Sequence, residues 1–178
     1  MIVVVMGVSG CGKSSVGRAI AQRTGWTFIE GDDLHPAANR AKMAAGTPLD
    51  DADRWPWLDT IADAARAVEA EGNAAVVACS ALKRIYRERL STAGDTVTFV
   101  HLDGDRATIL ARMQARADHF MPPALLDSQL ATLEPPGTDE AASAMMPREP
   151  EVLTSGVAVP FGWTRVMSPP PKKVRFAR

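Results

Sequence analysis

Eight residues near the start of the chain, Gly7-Val8-Ser9-Gly10-Cys11-Gly12-Lys13-Ser14, set glycines, a lysine and a hydroxyl at the spacing Gly, four residues, Gly, Lys, Ser. Glycines let a backbone turn sharply and bring its N–H groups up to phosphate oxygens. The apolar run Ile2-Val3-Val4-Val5-Met6 precedes them, and Ser15 to Gln22 can continue as a helix. Such a helix aims its unpaired N–H groups and the positive end of its dipole at the same anion. In that setting Lys13 reaches the β- and γ-phosphates of a nucleoside triphosphate, and the Ser14 hydroxyl ligates magnesium. The stretch from Gly7 to Ser15 is therefore expected to hold a phosphoryl donor.

The acceptor must be read elsewhere. Glu30-Gly31-Asp32 ends a second apolar segment, and two carboxylates one residue apart at a strand end point the same way. One can order magnesium; the other can accept a proton from an attacking hydroxyl. Phosphoryl transfer needs mainly positioning and charge neutralisation, so a single placed carboxylate suffices as base. The same pair alone would equally suit a turn or cap, and it is its place beside a phosphate loop that favours chemistry. His35 either donates to a polyol hydroxyl or caps its helix, and Arg40 follows on the same segment. Arg54 stands at a helix start, where cations are disfavoured. A substrate carboxylate would remove that mismatch, as would an ion pair with Asp50, Asp51 or Asp53. Ser80 and Lys83 come directly after a third apolar run, where ligands bind, and Arg87 shares a helix face with Lys83, which makes all three candidates to hold the acceptor. The Arg84 and Glu88 pair, also four apart, reads as structural. Arg112, Arg116 and His119 recur at i, i+4 and i+7 ahead of Pro122-Pro123. That face is either a lid that brings cations over a transferring phosphoryl group or simply solvated.

These residues need a frame. Apolar runs at 2–6, 26–30, 74–79 and 96–102 read as strands, with helical stretches at 13–24, 35–45, from about 51 to 71, 81–91, 105–116 and 124–133. Strands alternating with helices imply an α/β fold with a parallel sheet and right-handed crossovers. Ligands in such folds gather at the carboxyl ends of the strands, which is where the polar clusters fall. The 178 residues suit one domain with a substantial core. A net charge of −1 gives no reason to expect nucleic acid or an anionic membrane as partner. Cys11 and Cys79 make no metal-ligand spacing. With no signal segment or membrane-length apolar run, a cytoplasmic enzyme is expected.

Periodicity fades after about residue 135. Eight of the 13 prolines fall between Pro135 and Pro171, and no acidic residue follows Glu151, whereas Arg165, Lys172, Lys173, Arg175 and Arg178 are basic. Val157-Ala158-Val159 reads as a short strand, and 168–178 as a disordered, solvated basic tail.

Several stretches together resemble the P-loop gluconokinases. They are the phosphate loop, Gly31-Asp32-Asp33-Leu34-His35-Pro36, Pro48-Leu49-Asp50-Asp51-Ala52-Asp53-Arg54-Trp55-Pro56-Trp57-Leu58, Cys79-Ser80-Ala81-Leu82-Lys83, His119-Phe120-Met121 and Gln129-Leu130-Ala131-Thr132-Leu133-Glu134. The likeness covers about residues 1–140 and implies a three-layer kinase fold like that of shikimate and adenylate kinases. Such a fold has about five parallel strands, a substrate-binding helical region and a mobile lid, here at about 112–124. It further implies ATP- and magnesium-dependent phosphorylation of the 6-hydroxyl of D-gluconate, and allows a homodimer. Lys13 and Ser14 would serve ATP–magnesium, Asp32 would be the base, Arg54, Ser80 and Lys83 would lie near gluconate, and Arg116 would be a lid cation. Glu30 stands where these enzymes usually carry Asp, keeping the charge on a longer side chain. The alternatives are a kinase for another hydroxy acid such as shikimate, or a nucleotide-binding protein with impaired catalysis. After Glu140 the chain departs from the family. Residues 141–178 are expected to be an atypical segment, leaving the edge strand in doubt and the adenine end less firmly held.

Overall fold

The computed structural model describes residues 1–114, 124–147 and 163–166. Its strands are β1 (Ile2–Met6), β2 (Thr27–Glu30), β3 (Ala75–Ala78), β4 (Val97–Leu102), β5 (Ala142–Pro147) and β6 (Trp163–Val166). Its helices are α1 (Lys13–Thr24), α2 (Ala37–Ala44), α3 (Asp51–Ala70), α4 (Arg84–Ser91), α5 (Arg106–Gln114) and α6 (Ala124–Thr132). A 3-10 turn, Gly31–Leu34, links β2 to α2.

The strand order is β2-β3-β1-β4-β5-β6. β1 lies between β3 and β4, parallel to both, with Val4 opposite Val77 and Phe99. Period-two alternation then divides the core. Ile2, Val4 and Met6 pack with Trp57, Leu58 and Ile61 of α3 and Tyr86 and Leu90 of α4. Val5 faces the other way, onto Val16 of α1, Ile109 and Met113 of α5 and Leu126 of α6. Helices thus cover both faces, which is why these strands read as unbroken apolar runs. The carboxyl ends of β1, β2 and β3 come together at one edge of this sandwich.

Two features differ from the sequence-based expectation. The sheet edge is filled: β5 pairs parallel with β4, Phe99 opposite Ala142 and Leu102 opposite Met145. Ladder bonds are made by the main chain, so an Ala-Ser-Ala-Met-Met run of modest β preference can still complete an open edge. β6 then adds antiparallel to β5, so the sheet is not purely parallel. Residues 157–159 and 168–178 lie outside the described part of the chain.

Candidate active site

The turn after β1 has the conformation that its glycines permit. Gly7, Gly10 and Gly12 have φ of 138°, 80° and 101°, values that side-chain-bearing residues rarely adopt. Gly12 is the N-cap of α1 and supplies no side-chain cap. The first N–H groups of that helix therefore remain to be met by a ligand or solvent. Lys13 Nζ donates to Val8 O at 3.0 Å, arching over the loop. On the far side, α5 packs against the loop through Met113, beside the Gly10 Cα.

A pocket of about 120 Å³ opens beside this loop. It is lined by Ser9, Lys13, Asp32, His35, Arg54 and Ser80, with Met43, Pro48 and Leu49 as an apolar wall and Ser128, Gln129 and Thr132 of α6 as the remaining side. Residues from four separate segments, all noted in the sequence, thus meet in one cavity. Ser80 O accepts from Gly7 N at 3.2 Å, tying the turn after β3 to the phosphate loop.

Glu30 and Asp32 do not act side by side, as strand alternation alone suggests. The chain enters the 3-10 turn at Gly31, so alternation stops there and the carboxylates diverge. Asp32 lines the pocket. Glu30 instead receives a hydrogen bond from Ser14 and sits 3.5 Å from Arg18. Burial raises its pKa, helped by Asp32 and Asp33 and opposed by Ser14 and Arg18. A hydroxyl and a carboxylate in contact beside a phosphate loop are the hard oxygen donors that magnesium prefers. Among the described residues no three His, Cys, Asp or Glu side chains gather into a metal cage. The donor set therefore fits an ion that arrives with phosphates.

His35 is 5% exposed and stacks on Trp57, ring centroids 4.0 Å apart and 12° from parallel. Trp57 is fixed in turn by Nε1 donating to Gly31 O at 2.7 Å. Burial pushes the His35 pKa down to about 4, with Arg54 and Arg40 adding and Asp32 opposing. His35 is thus neutral at pH 7, a hydrogen-bonding group and not a cation, and its Nδ1 has no partner among the described residues. The unfolded chain takes up a proton near pH 6.5 that the folded site refuses until about pH 4. Stability is therefore full above pH 6.5 and falls as pH drops through that window, by about 1–3 kcal/mol for this group. His101, whose pKa burial also lowers, adds to the loss. Thermal melts of wild type and His35→Gln between pH 4 and 7 should show a flatter acid limb in the variant; parallel curves would exclude His35 as a source.

Four other positions lie away from this pocket. Arg40 is exposed, its Nη1 donating to Asp33 O at 3.3 Å. Lys83 lies in a neighbouring opening with Arg54, Asp51 and Tyr86. Arg87 is 1% exposed and turned inward to Glu140, so it cannot reach a ligand here. Its helix is amphipathic, and although Arg87 N donates to Lys83 O, Lys83 is only the extended N-cap and its side chain turns to Asp51, so the two do not share a face. Arg112, half-buried on α5, acts electrostatically on Cys11 behind the phosphate loop. Arg116 and His119, with residues 115–123 of the expected lid, lie outside the described residues; residues 112–114 end α5 and Ala124 starts α6. Cys11 and Cys79 are buried thiols with raised pKa, Cys79 up to about 12, which leaves neither as a nucleophile.

Sequence reasoning missed Gln129 as a site residue. Its Oε1 accepts from Ser9 N at 2.6 Å, so α6 touches the donor loop directly. The available signal was the polar set Ser128, Gln129 and Thr132 on a helix whose other polar residue, Asp127, pairs with Arg106.

A family model described as an AAA domain matches residues 2–136. The chain is 54% identical over 137 residues to a gluconokinase of Gluconobacter oxydans, covering 77% of each. It belongs to the gluconokinase family. The structure of an unliganded sugar kinase from Janibacter sp. HTCC2649 superposes with a TM-score of 0.78 at 46% identity, over 82% of this chain and 84% of that one. A gluconokinase from Sinorhizobium meliloti gives 0.73 at 48% identity, over 81% of each. Family membership thus rests on both sequence and architecture. Among the described residues no helix is long and apolar enough to cross a membrane.

Proposed function

We propose that the chain transfers the γ-phosphoryl group of ATP to the 6-hydroxyl of D-gluconate, giving 6-phospho-D-gluconate and ADP in the cytoplasm. The observation that carries this reading is the single pocket in which Lys13 of the donor loop faces Asp32, His35, Arg54 and Ser80. The N–H groups from Gly7 to Ser15, with Lys13, hold the triphosphate. Ser14 and Glu30 would hold magnesium, which would supply charge neutralisation for the phosphates. Asp32 accepts the proton as the acceptor hydroxyl attacks phosphorus. Neutral His35 and Ser80 hydrogen-bond polyol hydroxyls, and Arg54 and Lys83 favour an anionic acceptor. The apolar wall of Met43, Pro48 and Leu49 keeps water, the competing acceptor, from the transfer point. Arg112 and Arg116 would complete the cationic surround of the phosphates.

A coupled assay tests this. Purified protein with ATP, magnesium and a panel of sugar acids is expected to form 6-phosphogluconate from gluconate. Turnover of shikimate but not gluconate would overturn the assignment, and nucleotide binding without turnover of any acceptor would make the chain a binding module.

A further inference from the structure

Four side chains just beyond the main pocket form a cluster that the phosphoryl-transfer groups do not explain. Tyr86, 1% exposed, sits beneath the opening shared by Leu49, Asp50, Asp51, Arg54, Lys83 and Thr132. Its ring carries two cations, with the Arg54 guanidinium carbon and Lys83 Nζ each 5.6 Å from the centroid. Its hydroxyl donates to Asp51 Oδ1, the same oxygen that takes Lys83 Nζ at 2.7 Å. Trp55 packs edge-on against the ring at 5.7 Å, locking its orientation. Arg54 belongs to both openings, so the cluster is continuous with the pocket that contains Asp32.

We propose that Tyr86 and Asp51 are positioning residues that set Arg54 and Lys83 as a two-cation reader for the carboxylate end of the acceptor. The inference rests on the sugar-acid kinase reading and specifies how that site selects an anion over a neutral polyol. The chemistry is a matter of charge and reach. An acceptor whose reacting hydroxyl meets Asp32 must place its other end some distance away, and the cluster adjoins that pocket through Arg54. Two cations, Arg54 and Lys83, and two carboxylates, Asp50 and Asp51, line the opening. Asp50 caps α3, accepting from Asp53 N at 2.8 Å, and Asp51 accepts from Lys83 and Tyr86, so a ligand carboxylate is offered the Arg54 guanidinium and the remaining N–H groups of Lys83. The aromatic face holds both cations without neutralising them. Asp51 fixes Lys83 while lowering its pull on anions, and so sets affinity against specificity.

The test is binding of gluconate and of the uncharged polyol sorbitol, by calorimetry, with acceptor KM and kcat measured alongside. Lys83→Met is expected to raise the gluconate Kd more than about 10-fold and leave sorbitol binding unmoved, erasing the preference for the acid. Asp51→Asn keeps an acceptor oxygen for Lys83 and Tyr86 but removes the negative charge. It should tighten gluconate about 3- to 10-fold and steepen the salt dependence. Tyr86→Phe retains the ring and the packing but loses the hydroxyl, leaving Asp51 wholly to Lys83; a rise of about 3- to 5-fold in gluconate KM, with kcat little changed, is expected. Unchanged gluconate affinity in both Lys83→Met and Asp51→Asn, with wild type binding gluconate normally, would reduce the cluster to a structural cross-link. Failure of wild type to bind or turn over gluconate at all would instead remove the functional reading beneath it.

Discussion

Replacing Asp32 by Asn should abolish phosphoryl transfer while leaving ATP binding almost intact. Asn has the same size and can still accept a hydrogen bond, but it cannot take a proton from the attacking hydroxyl. A positioned general base contributes about 10²- to 10⁴-fold, or about 3–5 kcal/mol of barrier, and the loss should fall on kcat. Nucleotide affinity should hold because the donor loop is built from glycine turns, Lys13 and the open N-terminus of α1, none of which depends on the Asp32 side chain. The turn should also survive, since it is Asp32 O and not the carboxylate that accepts from His35 N. One side effect is predictable in sign. The charge on Asp32 raises the His35 pKa, so the variant lowers it further and His35 stays neutral at assay pH. Single-turnover rates with saturating ATP, paired with nucleotide titration, separate the two effects. A variant with full activity would remove Asp32 as base, and one that had lost ATP binding would show that Asp32 supports the donor site.

The sequence carried the donor half of the site nearly complete, because a phosphate loop is a local object. Its glycines, its lysine and its helix start are contiguous, and backbone geometry alone makes them work. The acceptor half was legible in residue identity but less so in direction. Glu30 and Asp32 were visible as a pair, yet the 3-10 turn at Gly31 sends them to different neighbours. Gln129 reaches the donor loop through a contact across 120 positions of chain; the polar set on α6 marks it as notable but does not say what it touches. The edge strand was lost to the reader for a related reason. Residues 142–147 have little strand character of their own, and it is the open side of β4 that draws them into the sheet. Arg87 illustrates the opposite case: an arginine expected at the acceptor is buried and bonded to Glu140 and to the carbonyls of Ala81, Leu82 and Glu134.

Arg87→Ala should produce the largest loss of stability outside the apolar core. Arg87 Nε donates to Glu140 Oε2 at 2.5 Å and Nη2 to Oε1 at 2.9 Å, a paired fork. Nη1 reaches Ala81 O and Leu82 O, both at 3.2 Å, and Glu134 O at 2.9 Å. Truncation strips the partner from a carboxylate that is only 12% exposed and from three carbonyls at once. Breaking a buried pair in this way costs about 3–5 kcal/mol, which for a chain of this length lowers Tm by about 6–20 °C. The damage should also reach the active site. Ala81 is held at φ 43°, a conformation costly for a residue with a Cβ and kept only where its surroundings enforce it. The two carbonyls that Arg87 grips flank that strain, and Ser80, one residue earlier, touches both the pocket and Gly7. Activity measured well below the melting transition should therefore fall by about 10-fold or more. Lysine at 87 keeps the charge but not the fork, so Arg87→Lys should lie between wild type and alanine. The pH dependence supplies an independent check. Arg87 holds the Glu140 carboxyl below its ordinary range, so this contribution is present above the usual carboxylate pKa and lost as the pH falls through the lowered one. Arg87→Ala should flatten that acid limb as well as lower the plateau. A ligand-binding arginine would behave differently, raising acceptor KM with Tm unmoved, and that outcome would return Arg87 to the substrate site.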